Sequence, residues 1–137
     1  MDYVNEVAQK IDLPMLLGEF HFGTVDRGMT AGLVQVANQE ECAVAFRYFA
    51  ENAFAHPSLI GVAWFQYTDQ GLLGRGDVVR YNIGLVDVTD RPYPIVKGII
   101  ETAKDAYSVH LGEKEPFSKI PEGLRGNEDD LKSMSNQ

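Results

Sequence analysis

Apolar residues recur with helical spacing from the start of the chain. Val4, Val7, Ala8 and Ile11 fall at the i, i+3, i+4, i+7 positions of one buried face, and Asn5, Glu6, Gln9 and Lys10 cover the other side. Asp12-Leu13-Pro14 ends this helix, because Pro14 disfavours the helical conformation at the residue before it. The run 15–18, Met-Leu-Leu-Gly, is apolar without alternation, the mark of a strand buried on both faces. It opens directly into Glu19-Phe20-His21-Phe22-Gly23, and a loop rich in Gly, Thr and Asp continues to about Val36. Asn38 with Glu41 predicts a capping box. The helix behind it carries Cys42, Ala45, Phe46, Phe49, Ala53 and Phe54 as its apolar stripe and closes at His56-Pro57-Ser58. A second apolar strand is predicted over 59–65 and a glycine-rich loop over 70–77, with a short extended segment within 81–88. Pro94 suits the first turn of a last helix, with Val96, Ile99, Ile100, Ala103 and Tyr107 on its inner face.

The order is therefore helix, strand, helix, strand, helix. Apolar strands alternating with amphipathic helices predict an α/β fold with a parallel sheet and crossover connections. Two parallel strands alone leave both edges open and need cover on both faces. Further strands are expected from elsewhere in a longer chain, or from copies of this one, and a first helix that begins in mid-pattern reads as part of a cut piece. The domain expectation is residues 1–111 as the folded part. Residues 112–137 turn polar and read as a flexible tail.

Composition narrows the partners. The 137 residues are 45% hydrophobic and 23% charged, with a formal net charge of −8 and a pI of about 4.7. Nucleic acid and anionic membranes require clustered Lys and Arg, so neither is expected as a partner. No apolar run approaches the roughly 18–20 residues needed to cross a bilayer, and the first residues do not form a basic stretch followed by an apolar one. The single cysteine, Cys42, lies on a helix stripe and reads as a small buried hydrophobe. His21, His56 and His110 are far apart and no ligand-spacing motif occurs, so no metal and no cofactor are expected.

In parallel α/β folds, functional groups gather where strands end. Glu19-Phe20-His21, then Trp64-Phe65-Gln66-Tyr67 with Asp69, then Gly74-Arg75-Gly76-Asp77 onward to Tyr81 all satisfy that rule. A carboxylate, an indole and several amide, hydroxyl and guanidinium donors suit a sugar, whose C–H faces pack on aromatic rings. Taken singly, these residues have plainer readings. A Glu after an apolar strand is more often a solvated loop residue, His21 a structural hydrogen-bonder and Trp64 a core side chain, with Arg75 and Asp77 a surface pair.

The ordered blocks carry more than the single residues. Gly18-Glu19-Phe20-His21-Phe22-Gly23 with Asp26-Arg27-Gly28-Met29, Trp64 to Gln70 with Gly74-Arg75, Tyr81 to Asp87, and Pro92-Tyr93-Pro94 together resemble family 50 β-agarases of glycoside hydrolase clan A. The resemblance runs from about Pro14 to Tyr107. It implies the C-terminal βα units of a (β/α)₈ TIM barrel and retaining hydrolysis of the β-linkages of agarose, a neutral galactan. It also implies secretion or a periplasmic home. Glu19 matches the nucleophile at the end of the seventh barrel strand, and His21, Trp64, Gln66, Asp69, Arg75 and Tyr81 are then substrate-binding candidates. Retaining hydrolysis uses two carboxyl groups about 5–5.5 Å apart. The family's acid/base Glu follows an Asn at a strand end, whereas here Asn5-Glu6 lies inside the first helix and Asn127-Glu128 in the tail. The isolated chain is accordingly expected to be inactive and to self-associate through its sheet edges. Another clan A glycosidase such as a β-galactosidase, or a non-catalytic, carbohydrate-binding remnant, remains the alternative.

Overall fold

The computed structural model describes residues 2–122 and 124. The elements are α1 (Asp2–Lys10), β1 (Met15–Phe20), α2 (Gln39–Phe54), β2 (Leu59–Trp64) and α3 (Ile95–His110). β1 and β2 pair in parallel as a two-stranded sheet, with α2 as the connection between them. The α/β order and the parallel pairing are those the apolar runs predict.

Local chemistry explains the boundaries. Asn38 caps α2 by accepting a hydrogen bond from the Glu41 amide at 3.0 Å. The Glu41 carboxylate does not close the other half of a box; it accepts from the Glu122 amide at 2.8 Å. Pro94 is the N-cap of α3. The stretch 81–88, expected to be extended, forms isolated bridges only: Tyr81 with Thr30, and Val86 with Thr68 and Pro92.

The main core lies where α2 and α3 meet the strand ends, around Phe22, Val36, Cys42, Phe46, Tyr93 and Ile95. Full burial of a side chain such as Leu59 or Ile95 contributes about 1.5–3 kcal/mol. The two helices approach closely at Gly98, where a Cβ would sit 2.5 Å from the Ala43 carbonyl oxygen. That contact sets the rotation of α3. Its buried residues are Ile95, Gly98, Thr102 and Val109, while Ile100, Ala103 and Tyr107 are exposed and Val96 and Ile99 half-buried. The expected inner face was therefore misplaced by part of a turn. The small residues that permit close packing, Gly98 and Thr102, do not register as apolar.

The strands are not buried on both faces either. Leu16 and Ile60 are 63% and 65% exposed, with Gly18 and Ala63 also open. Apolar clefts flank the sheet on both sides. One of about 310 Å³ is lined by Tyr3, Val7, Leu16 and Leu17, and one of about 420 Å³ by Phe54, Ile60, Ala103 and Tyr107. Residues 112–122, expected as the start of a tail, run back along α2. The Phe117 amide donates to Glu51 at 2.8 Å and Asn52 Nδ2 donates to the Phe117 carbonyl at 3.0 Å. The rest of the expected tail lies outside the described residues.

Candidate active site

The register of the sheet places the key carboxylate. Leu17 pairs with Val62 and Phe20 with Trp64, so Gly18 and Glu19 together oppose one residue of β2. This is a β-bulge, a device that re-aims a side chain at a strand end. Glu19 takes a left-handed backbone conformation, with φ of 50°, which costs a non-glycine residue on the order of 1 kcal/mol. Its side chain is exposed. An apolar strand that spends stability to present a carboxylate to solvent is the first mark of a site here.

Glu19 lines a cleft of about 240 Å³ with His21, Leu33, Phe65, Arg75 and Tyr81. His21 is 8% exposed, its Nε2 accepts from the Leu33 amide at 2.9 Å, and burial lowers its pKa from the ordinary imidazole value. The rings of Phe65 and Tyr81 stand 6.5 and 6.2 Å from it. Tyr81 is held by its amide donating to Gln70 Oε1 at 2.8 Å. Arg75 is exposed and paired with Asp77, Nε to Oδ1 at 3.3 Å, and that hydrogen-bonded guanidinium holds the Asp77 carboxyl below the usual range.

The other three expected binding residues do not reach the cleft. Asp69 is 3% exposed and accepts from Asn82 Nδ2 at 2.8 Å, the Gly84 amide at 2.9 Å and Tyr93 Oη at 2.7 Å. Three donors take most of the acceptor capacity of this buried carboxylate, and all three lie within its own loops. Through Asn82 the network continues to Thr24 at 2.6 Å and Gln39 at 2.8 Å, joining the loop after β1 to the loop after β2. Trp64 packs into the core, its ring 5.3 Å from Phe20 and 5.8 Å from Phe46, and donates Nε1–H to the Ile83 carbonyl at 2.8 Å. Gln66 donates to the Thr68 carbonyl at 2.7 Å and steadies its own turn. Sequence reasoning missed Leu33 as a lining residue, and it placed Phe65 in a strand-end cluster without singling it out as a binding residue. Leu33 carried no signal, whereas an isolated Gly18 inside an apolar strand is a signal for the bulge.

A cation, a carboxylate, a neutral imidazole and two aromatic rings around one cleft suit a polar ring-shaped ligand. At about 240 Å³ the cleft falls below the roughly 300–1,000 Å³ of ligand pockets. Among the described residues, no cluster of three or more His, Cys, Asp or Glu has a metal-holding arrangement.

No protein-family model matches the chain. It is 42% identical over 90 residues to β-agarase A of Vibrio sp. (strain JT0107), covering 64% of this chain and 9% of that protein. To β-agarase B of the same strain it is 37% identical over 101 residues, covering 72% of this chain and 11% of the relative. Among solved structures, an exo-β-agarase superposes with a TM-score of 0.75 at 36% identity, over 80% of this chain and 15% of the other. PfGH50B gives 0.76 at 33% identity, over 80% and 17%. The chain's homologues are thus β-agarases and family 50 glycoside hydrolase structures. It spans about a tenth of the length of the curated relatives it matches.

Proposed function

We propose that this chain is the C-terminal βα portion of a (β/α)₈-barrel family 50 β-agarase. In this reading Glu19 is the nucleophile of retaining hydrolysis of agarose β-linkages. The observation that carries it is the bulge-presented, exposed Glu19 beside His21, Arg75 and Tyr81. Homology to agarases at 37–42% identity supports the substrate class. The apolar clefts on both flanks of the sheet and the undersized sugar cleft support further βα units closing around these two strands.

The chemistry follows from the geometry. Glu19 attacks the anomeric carbon and displaces the leaving oxygen, which takes a proton from an acid/base carboxyl contributed by residues outside this chain. Water then releases the sugar from Glu19. Asn5-Glu6, the Asn-Glu pair among the described residues, sits on α1, where Glu6 binds Lys10 at 2.5 Å, and does not end a strand. The experiment compares this chain alone with the same chain joined to upstream βα units, on neoagaro-oligosaccharides, with reducing-sugar release as readout. The joined protein cleaves and the lone chain does not, since general acid assistance alone is worth about 10²–10⁴-fold. Glu19→Gln removes turnover from the joined protein by on the order of 10⁴-fold or more, while calorimetry shows sugar binding kept. Cleavage by the lone chain, or a Gln variant with full turnover, would refute the assignment.

A further inference from the structure

His21 is buried, yet one of its two ring nitrogens has no partner among the described residues. Nε2 is committed: it accepts the Leu33 N–H at 2.9 Å. That bond depends on close approach of the loop, because residue 32 has φ of +77° and a Cβ there would lie 2.4 Å from Nε2. Glycine alone meets both demands. A nitrogen that accepts cannot carry the ring proton, so a neutral imidazole bonded in this way holds its hydrogen on Nδ1. Nδ1 donates to no described group, and it is not among the fully enclosed, unpartnered polar atoms. His21 itself lines the cleft that Glu19 shares.

We propose that His21 is a tautomer-locked donor: the Leu33 amide fixes Nε2 as acceptor, so that Nδ1–H is offered, uncharged and pre-oriented, to a hydroxyl or ring oxygen of the sugar held beside Glu19. The ligand class rests on the agarase reading above; the tautomer does not. Two alternatives lose on physical grounds. An imidazolium would point a second N–H at the Leu33 N–H, donor against donor, and would bury a charge. A general base would need a free ring lone pair, whereas the one on Nε2 is engaged by the Leu33 amide, and a general acid would need an imidazolium, which burial disfavours. The charged groups around the cleft are Glu19 and the Asp77-paired Arg75, with the Tyr81 hydroxyl beside them. They leave a neutral donor as the group that recognises an uncharged oxygen without repelling either charge.

The test uses the whole 137-residue chain labelled with ¹⁵N. Long-range ¹H–¹⁵N correlation reads the protonation of each ring nitrogen of His21, and a pH series compares its midpoint with those of His56 and His110. The expected result is a proton on Nδ1 alone at neutral pH and a midpoint below those of the other two histidines. A proton on Nε2, or on both nitrogens, would overturn the proposal. Titration with neoagarotetraose then reads the ligand. Nδ1–H shifts together with Phe65 and Tyr81; His21→Leu, which removes the donor, binds roughly tenfold more weakly, and His21→Gln, which keeps an acceptor for Leu33 and an N–H donor, recovers part of that loss. If Phe65 and Tyr81 respond while His21 stays silent, the donor role is wrong. Silence from every cleft residue would overturn the sugar assignment and the acceptor given to His21, with the tautomer still measured by the first spectrum.

Discussion

Two loops leave the sheet at the same end, and each begins with a carboxylate within a few residues of a strand. After β1, Glu19 is turned outward by a bulge into an unfavourable backbone conformation with its side chain exposed. After β2, Asp69 is turned inward and met by three donors. The difference teaches how to separate a reactive group from a supporting one. A group built to act on a ligand is left unpaired at a local cost, while a group built to hold loops together is met by donors from several of them.

The comparison breaks most visibly through stability. Asp69→Ala strands the Asn82, Gly84 and Tyr93 donors, at about 1–3 kcal/mol for each buried group left unmade, so a loss of at least about 3 kcal/mol and roughly 10 °C in melting temperature is expected. Glu19→Ala should stay within about 0.5 kcal/mol. Equal effects in chemical denaturation would erase the distinction.

A smaller effect comes from beneath both loops. Cys42 is buried and donates weakly to the Phe22 carbonyl at 3.7 Å. Burial, then the negative charges of Asp26, Glu41 and Asp69, push its thiol up to about 12. In the unfolded chain the thiol ionises near its ordinary pKa of about 8.5, so the unfolded state loses its proton first. Stability should therefore be intact below about pH 8.5 and fall as pH rises toward 12, by up to about 1.4 kcal/mol per unit at the steepest. Thermal melts of wild type and Cys42→Ala at pH 8 and pH 10 measure it. The two proteins should lose stability by different amounts over that interval, and parallel losses would place the thiol in a wetter site.

The smallest expected effect is a gain. Glu19→Gly relieves the positive φ and should raise stability by about 0.5–1 kcal/mol, the backbone relief exceeding glycine's entropic cost. A loss instead would mean that Glu19 is stabilised where it stands, by contacts of the same kind as those of Asp69.

Element order and most boundaries were legible in the sequence because they rest on short-range rules: the spacing of Cys42, Ala45 and Phe46, the cap at Asn38, the breakers at Pro14 and Pro57. The face of α3 was not, since it depends on how closely another helix can approach Gly98. Glu19 stood out because an apolar strand ran straight into it. The partners of Asp69 were not legible, because polarity next to an aromatic strand looks the same whether the partner is a ligand or Tyr93. Leu33 reaches the cleft only because Gly32 lets its loop close on His21, a tertiary fact with no local trace.

The return of residues 112–122 along α2 bears on where an experimenter should cut. Glu51 is fully enclosed and Glu41 nearly so, and each receives a backbone N–H from this strap, from Phe117 and from Glu122. Arg47 completes the arrangement, bonding Glu51 at 2.6 Å and Asp105 at 2.8 Å while its guanidinium lies 4.5 Å from the centre of the Phe117 ring. A protein trimmed at the last turn of α3 would look tidy on a diagram and would leave two interior anions short of a donor. A cut that keeps both bonds lies beyond Glu122, and its place is set by carboxylates on a helix more than sixty residues upstream.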